Sequence, residues 1–221
     1  MSGASKKKAA PTKIPSLSKH AARLEQTESG KEHQSAETRA GESADGEPVS
    51  LWKDRFTFTA RVVPGILERA RWRNNLAYSL TNKLTVGIEY NPLADDVNPT
   101  ANWRLLDETE NWPAVIIGTS SDRIGTPSGT AYYATVSKSL KNWTGVPLAP
   151  YAGISYSTHD DKAYLIAGGN LRLTDRLSLM AIYDGVATHG ALSYTTGRHT
   201  FSLLAVDLDG WHLGGGYSIR F

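Results

Sequence analysis

Residues 211–221, WHLGGGYSIRF, end the sequence with an unbroken alternation. One set of alternate positions is apolar or glycine, namely Trp211, Leu213, Gly215, Tyr217, Ile219 and Phe221. The positions between them hold only His, Gly, Ser and Arg. Successive side chains of a strand point to opposite faces, so this pattern predicts a strand with one apolar and one polar face. Soluble proteins rarely end in a strand this apolar, because chain ends usually fray into water.

Three short turns, at 81–83, 174–176 and 197–198, extend the pattern into hairpins. They predict cross-strand pairs in which an apolar side chain meets another: Leu76 with Ile88, Leu171 with Leu179, and Leu192 with Leu203. The candidate strands are 55–63, 68–81, 83–91, 101–106, 113–119, 130–138, 149–158, 162–173, 177–184, 188–196, 199–206 and 211–221. We predict an all-β fold over residues 51–221, a single antiparallel, transmembrane-type β-barrel of about 10–12 strands.

The connections between these strands support a membrane barrel. If the last strand runs inward, the three short turns fall at one end of the barrel. The polar connections at 92–100, 120–129, 159–161 and 207–210 fall at the other. Transmembrane barrels combine short turns at one end with longer loops at the other. The link at 139–148 is an exception, because it is long where a short turn is expected.

The first part of the chain differs from the rest. Residues 1–50 contain no aromatic residue and few aliphatic ones, which predicts a disordered polar tail that buries too little apolar surface to fold. No apolar stretch of about 7–15 residues follows Lys6–Lys8, so no secretory signal is visible.

Composition excludes several classes of function. Lys and Arg number 24 against 22 Asp and Glu, a net charge of +2, which argues against a nucleic-acid partner. The absence of cysteine excludes thiolate metal sites and cysteine nucleophiles. No apolar run approaches the roughly 18 residues of a membrane-spanning helix.

The terminal GGGYSIRF resembles the end of bacterial outer-membrane β-barrel proteins. The resemblance implies that Tyr217, Ile219 and Phe221 form the C-terminal signal read by the barrel-assembly machinery. Residues 76–92, LAYSLTNKLTVGIEYNP, and 149–157, APYAGISYS, are similar to small porin-like barrels and, more weakly, to barrels associated with exopolysaccharide export. The resemblance implies location in the outer membrane, with its lipid and the assembly machinery as partners.

The most informative polar feature is a row of alternate arginines, Arg69, Arg71 and Arg73. If Leu76 faces lipid, strand parity turns all three into the lumen, where guanidinium groups attract small anions. The register places Glu89 diagonal to Arg73, where it offsets part of this charge. The alternative is an extracellular strand extension whose arginines bind lipopolysaccharide phosphate or only water.

The histidines raise the possibility of an enzyme. His189 and Ser193 share one face of a strand, but nucleophilic catalysis also needs a third, orienting group, and no diagnostic spacing is present. Residues 159–161, His-Asp-Asp, form either a cation site or an ordinary solvated loop. The glycine-rich stretches do not match a phosphate-binding loop. We therefore expect no catalytic site, no metal and no cofactor.

Aromatic residues near the predicted strand ends suggest interfacial girdles: Trp72, Tyr90, Trp103, Trp112, Trp143 and Trp211. The alternative is the ordinary aromatic core of a soluble barrel. The sequence favours a non-enzymatic outer-membrane barrel, either a narrow passive channel or a structural anchor. The competing functions are a soluble ligand-binding barrel and, less favoured, a lipid-modifying barrel enzyme.

Overall fold

The protein is described by a computed structural model over residues 54–221, which form one closed sheet of twelve antiparallel strands. The predicted tail, residues 1–50, lies outside the described residues. The strands are β1 (Phe56–Val62), β2 (Trp72–Ser79), β3 (Leu84–Asn91), β4 (Asp96–Leu106), β5 (Ala114–Ser121), β6 (Thr130–Ser137), β7 (Leu148–Ser157), β8 (Lys162–Arg172), β9 (Leu177–Tyr183), β10 (Thr188–Thr196), β11 (His199–Asp207) and β12 (Trp211–Arg220). Two four-residue helices lie between strands, α1 (Glu68–Arg71) and α2 (Lys141–Thr144).

Every strand pairs with its neighbours in the sequence, and β1 closes the ring by pairing with both β2 and β12. At the seam, the backbones of Phe56 and Phe221 exchange two hydrogen bonds of 2.9 Å. The predicted all-β fold, a single antiparallel barrel of 10–12 strands, is confirmed. None of the helices in residues 54–221 is long and apolar enough to cross a membrane.

The hairpin registers predicted from the sequence are confirmed. Leu76 pairs with Ile88, Leu171 with Leu179, and Leu192 with Leu203. Each pair lies on the outside of the barrel, where period-two alternation sets one apolar side chain opposite another. The alternation therefore fixes both the pairing and the face of these strands.

Strand β4 begins earlier than predicted. It starts at Asp96, inside the predicted connection 92–100, and it contains Pro99. Pro99 pairs with Ile88 of β3, whereas pairing with β5 begins only at Ala101. Proline is tolerated where its missing N–H would not enter a ladder, which accounts for its place in this strand.

Strand β2 begins later than predicted, because residues 68–71 form α1 and not a strand. The prediction that Arg69 and Arg71 alternate along a strand with Arg73 is therefore wrong. The segment leaves the barrel wall because Val63, Ile66 and Ala70 pack against Val206 of β11. Of these three residues only Ala70 lies in α1.

The two faces of the barrel have opposite polarity. The outer face carries large exposed apolar side chains, such as Leu165 (74 % exposed), Leu213 (66 %) and Ile88 (60 %). The inner face carries mainly hydroxyl, amide and arginine side chains, as in Thr57, Thr59 and Arg61 of β1. Water-soluble domains bury apolar groups and expose polar ones, so this barrel is inverted.

The two ends of the barrel also differ. At one end, called here the turn end, lie the turns 173–176 and 197–198 together with the seam residues Phe56 and Phe221. The other end is called the plug end, because residues 63–71, the plug segment, fold inward there. The predicted length rule holds only in part. The link 138–147 at the turn end is long where the rule requires a short turn, which the sequence already indicated, and the connection 92–95 at the plug end is short where the rule requires a longer loop.

Candidate functional site: the interior of the barrel

Of the three arginines predicted to line the lumen in a row, one lies in a barrel strand. Arg73 projects inward from β2 and borders two interior cavities. Its guanidinium forms an ion pair with Glu89, whose side chain is 0 % exposed. Glu89 lies opposite Asn75, as the register predicted. A buried carboxylate is costly without such a partner, so Arg73 and Glu89 require each other.

Arg69 holds the plug segment in place and does not line the lumen. It is only 3 % exposed, and its guanidinium donates to the carbonyl oxygens of Asp122 (3.0 Å), Arg123 (2.7 Å) and Thr126 (2.8 Å). It also donates to Oγ1 of Thr126 at 2.7 Å. Burial lowers the pKa of Arg69, but a guanidinium remains protonated in proteins. Arg69 thus ties the plug segment to the loop 122–129.

Arg71 has a smaller role within the same segment. Its Nε and Nη2 donate to the carbonyl oxygen of Ile66, at 3.2 and 3.1 Å. Both partners belong to the plug segment, and Arg71 borders neither cavity. The bond stabilises the segment internally without attaching it to the barrel wall.

Apolar packing completes the plug. Val63, Ile66 and Ala70 form a buried cluster with Val206 of β11, and Ile124, Leu204 and Leu208 pack against it. Gly65 has a φ of +81°, a region that favours glycine, and this allows the chain to turn inward after Pro64. The plug end of the lumen is therefore covered by a packed and hydrogen-bonded segment.

The first cavity, called the arginine-rich cavity, has a volume of about 620 Å³ and reaches the turns at the turn end. Its charged lining comprises six arginines and two aspartates: Arg61, Arg73, Arg172, Arg176, Arg198, Arg220, Asp54 and Asp175. Serine and threonine hydroxyls fill most of the remaining wall, among them Ser178, Ser193 and Thr195. The cavity carries a clear excess of positive charge.

Of these interior arginines, only Arg73 was predicted from the sequence to line the lumen. Arg61, Arg172 and Arg220 each stand alone on their strands, and only ring closure brings them together. The alternation does predict their direction. Arg172 lies on the face opposite to Leu171, and Arg220 lies on the face opposite to Ile219.

The second cavity, called the mixed cavity, has a volume of about 520 Å³. Part of its wall is apolar and comes from β8 to β11: Ile166, Met180, Ile182, Ala191, Leu204 and Val206. Register makes this strip continuous, because Ala191 pairs with both Met180 and Leu204. The rest of its wall includes Arg61, Arg73 and Arg104.

Tyrosines in the mixed cavity lie against glycines of the neighbouring strands. A Cβ added to Gly118 would lie 2.4 Å from the Tyr133 hydroxyl, and one added to Gly168 would lie 2.6 Å from the Tyr151 ring. Each ring therefore occupies the space that a side chain at the glycine would take. These glycines leave room at the wall for the two tyrosine rings.

His189 and Ser193 form their hydrogen bonds with other residues and not with each other. His189 is buried; its Nε2 lies 3.1 Å from a carboxylate oxygen of Asp184, and its Nδ1 accepts from the backbone N–H of Asp207 at 3.3 Å. Ser193 instead bonds to Ser202 at 2.8 Å. Nucleophilic catalysis by this pair would need a direct hydrogen bond.

Asp184, in the turn 184–187, makes stability depend on pH. Burial raises its pKa, but hydrogen bonds from His189 and the backbone N–H groups of Ala187 and Val186 outweigh burial, and the net pKa is lowered. A lowered folded-state pKa means that this carboxylate stabilises the fold above about pH 4, and that the contribution is lost as pH falls through the folded pKa.

We expect Asp184→Asn to lower the free energy of unfolding by about 1 kcal/mol at pH 7, with the difference from the wild type shrinking below pH 4. Urea unfolding in lipid vesicles at pH 7 and pH 3 measures this. Asp175→Asn, in an exposed turn, is the control and should change neither value. A difference that stays constant between the two pH values would contradict the role of Asp184.

The sequence 159–161 contributes to a hydrogen-bonded loop. Asp160 forms an ion pair with Arg123 and accepts from Tyr164 at 2.8 Å, and these bonds lower the pKa of Asp160. His159 Nδ1 lies 3.3 Å from the Ser128 hydroxyl. Within residues 54–221, no group of three or more His, Asp or Glu side chains is arranged to hold a metal ion.

The residues of the expected C-terminal signal lie at the seam. Tyr217 and Ile219 belong to β12; the Tyr217 hydroxyl lies 2.8 Å from His199 Nδ1, and its ring is 5.4 Å from that of Phe201. Phe221 stacks on Phe56 with ring centroids 5.8 Å apart. Tyr217 therefore contacts β11, whereas Ile219 pairs with Phe58 of β1 and Phe221 stacks on Phe56 of β1.

The aromatic residues near the strand ends are exposed and form two groups. Trp72, Tyr90 and Trp211 lie towards the plug end, and Trp103, Trp112 and Trp143 lie towards the turn end. A soluble core would bury these rings. Two bands separated by an apolar belt are the arrangement found where a barrel meets the two surfaces of a membrane.

No protein-family model matches this chain, and no curated protein matches it in sequence.

Proposed function

We propose that this protein is a non-enzymatic outer-membrane β-barrel that acts as a narrow passive channel for small anions. The inverted polarity of the barrel is the observation that carries the proposal. An apolar outer face is stable against lipid acyl chains, and a polar lumen is stable when it holds water. The two exposed aromatic groups fit the headgroup regions on either side of that belt.

A soluble ligand-binding barrel fits the structure poorly. Such a barrel would place apolar side chains inside and polar ones outside, whereas Leu165 and Leu213 are largely exposed here. Outer-membrane lipid is therefore the partner proposed for the outer face. The barrel-assembly machinery is the partner proposed for insertion, with Tyr217, Ile219 and Phe221 as its signal.

The lining of the arginine-rich cavity supports selectivity for anions. A confined, positively charged passage concentrates anions and excludes cations, because nearby charges interact strongly where little water screens them. The positive charge does not come from the row proposed from the sequence. It comes from inward arginines on several strands, including Arg61, Arg172 and Arg220.

Replacing Arg172 and Arg220 together with glutamine should shift the ion selectivity of the channel towards cations. Reversal potentials in planar bilayers under a salt gradient measure this shift. Arg71→Gln is the matched control, because Arg71 borders neither cavity, and its selectivity should equal that of the wild type. Unchanged selectivity in a conducting double variant would contradict the proposal.

The structural anchor is the second candidate, favoured by the plug segment. Val63, Ile66 and Ala70 are packed into the lumen at one end, so the channel is constricted in this conformation. A barrel that never conducts, even after the plug is released, would support the anchor over the channel.

A further inference from the structure

The start of the barrel chain lies at the mouth of the arginine-rich cavity. Asp54, the first described residue, borders that cavity, and its carboxylate forms an ion pair of 3.0 Å with Arg198 in the turn 197–198. Its φ of +61° is a left-handed conformation, which is typical of a turn in the chain. β1 begins two residues later and joins the seam at the turn end. The residues that precede Asp54 in the sequence are therefore attached at the rim of the lumen.

The cavity keeps an excess of positive charge whichever of its groups are paired. Its lining holds six arginines and two aspartates, and the buried Glu89 adds a third carboxylate beside Arg73. Three of the arginines have interactions of their own: Arg61, Arg172 and Arg220. Pairing within the set cannot remove the excess, because each carboxylate offsets one guanidinium and arginine stays protonated in proteins. In a confined space with little screening water, such an excess favours a negatively charged occupant.

One acidic stretch of the sequence lies close to this mouth along the chain. Residues 42–47, ESADGE, hold three carboxylates and no basic group. The residues between the acids are Ser43, Ala44 and Gly46, whose small side chains suit a narrow passage. Like the rest of residues 1–53, this stretch lies outside the described residues. Six residues, 48–53, connect it to Asp54, and a connection of about two to five residues is long enough to reverse a chain.

We infer that the arginine-rich cavity is a docking site for the chain's own residues 42–47, whose carboxylates bind the inward arginines. Carboxylates accept paired N–H bonds from guanidinium groups, and these charge-assisted bonds are the stronger class of hydrogen bond. A volume of about 620 Å³ is in the range of pockets that hold one small molecule, so it accepts a few side chains and not all of residues 1–53. That limit favours the acids closest to Asp54. In the channel proposed above, the docked stretch competes with small anions for the same arginines, and this consequence rests on the proposed function.

Disulfide trapping tests the docking in the full chain, which contains no natural cysteine. The test pair is Ser43→Cys with Ser178→Cys, because Ser178 lines the arginine-rich cavity. The control pair is Ser43→Cys with Thr144→Cys, because Thr144 is exposed in the link at the turn end and borders neither cavity. With one barrel per lipid nanodisc and an added thiol oxidant, the test pair should cross-link at least fivefold faster than the control. Equal rates would overturn the inference. Thr195→Cys, at another lining position, replaces Ser178→Cys if that variant does not fold.

Salt separates electrostatic docking from mere nearness. The Debye length falls from about 10 Å at 0.1 M salt to about 3 Å at 1 M, so the test pair should cross-link at least threefold more slowly in 1 M NaCl. Each rate is taken relative to the control pair under the same conditions, which cancels effects on thiol reactivity. A relative rate that salt leaves unchanged would contradict docking by charge.

Charge variants identify the segment that docks. Neutralising the three acids of residues 42–47 should slow cross-linking of the test pair at least fivefold: Glu42→Gln, Asp45→Asn and Glu47→Gln. A distant triple variant removes the same charge and should leave the rate within about twofold: Glu25→Gln, Glu28→Gln and Glu32→Gln. Equal slowing by the two triple variants, or no slowing by either, would refute residues 42–47 as the occupant.

Failure of this inference and failure of the channel proposal are distinguishable, because cross-linking does not require conduction. A barrel that conducts anions in planar bilayers, while the test and control pairs cross-link equally, refutes docking and leaves the channel standing. A barrel that cross-links as expected, but conducts in neither the wild type nor the 42–47 triple variant, supports docking and refutes the channel. If both proposals hold, the 42–47 triple variant should pass at least twice the anion current of the wild type at low salt, and the distant triple variant should not. Equal currents in all three proteins would refute the competition with anions.

Discussion

Replacing Leu203 with arginine is expected to lower the free energy of unfolding in a lipid bilayer by about 2–4 kcal/mol. Leu203 lies at the middle of β11, on the outer face, where it pairs with Leu192 and Gly215. In the proposed outer-membrane barrel, a guanidinium at the centre of β11 would enter hydrocarbon. On the surface of a soluble protein the same change would cost within about 0.5 kcal/mol.

Val186→Arg is the matched control. Val186 is 55 % exposed and Leu203 is 56 % exposed, but Val186 lies in the turn 184–187, outside the strands. Chemical unfolding from lipid vesicles should give a large loss for Leu203→Arg and almost none for Val186→Arg. Equal effects would mean that the apolar outer face does not contact lipid.

Replacing Arg69 with methionine is expected to release the plug segment. The change removes every hydrogen bond that the guanidinium donates to the loop 122–129. The carbonyl oxygens of Asp122 and Thr126 lose this donor, whereas that of Arg123 still accepts from the N–H and hydroxyl of Thr126. Unsatisfied buried acceptors cost about 1–3 kcal/mol each, so we expect a loss of stability on the order of 3 kcal/mol. Single-channel conductance in planar bilayers should rise several-fold.

Arg71→Met provides the comparison for this release. The Arg71 side chain donates hydrogen bonds only within the plug segment. The conductance of the Arg71→Met variant should therefore stay within about twofold of the wild type. Protease cleavage within residues 63–71 should become faster in Arg69→Met and not in Arg71→Met. Wild-type conductance and protease resistance in Arg69→Met would show that Arg69 does not hold the plug.

The sequence predicted the barrel wall well because each strand carries its own evidence. Alternation at Leu76, Leu171 and Leu192 identifies the outer face without knowledge of distant residues, and a short turn then sets the register. The closed, antiparallel ring of twelve strands agrees with this local information. The first residues of β4 were predicted to belong to a connection, and the place of Pro99 among them depends on β5, which pairs with β4 only from Ala101 onward.

The lumen was harder to predict, because its groups come together only through ring closure. Arg69 and Arg71 share the parity of Arg73 in the sequence, yet residues 68–71 form a helix, and its Ala70 packs with Val63 and Ile66 inside the barrel. The acceptors of Arg69 are backbone carbonyls of the loop 122–129, and no side-chain pattern marks them. The mixed cavity likewise needs four strands to form one apolar strip.

The seam between β1 and β12 has a kinetic consequence. Thr59 and Ser218 lie 159 positions apart in the chain, yet their hydroxyl groups are 3.0 Å apart in the folded barrel. Contacts between such distant positions carry the largest loop-closure entropy and slow folding. Before the seam forms, the curved sheet exposes two unpaired edges that can template association with other chains. Pairing of Phe56 with Phe221 therefore converts an aggregation-prone open sheet into a closed ring without edges.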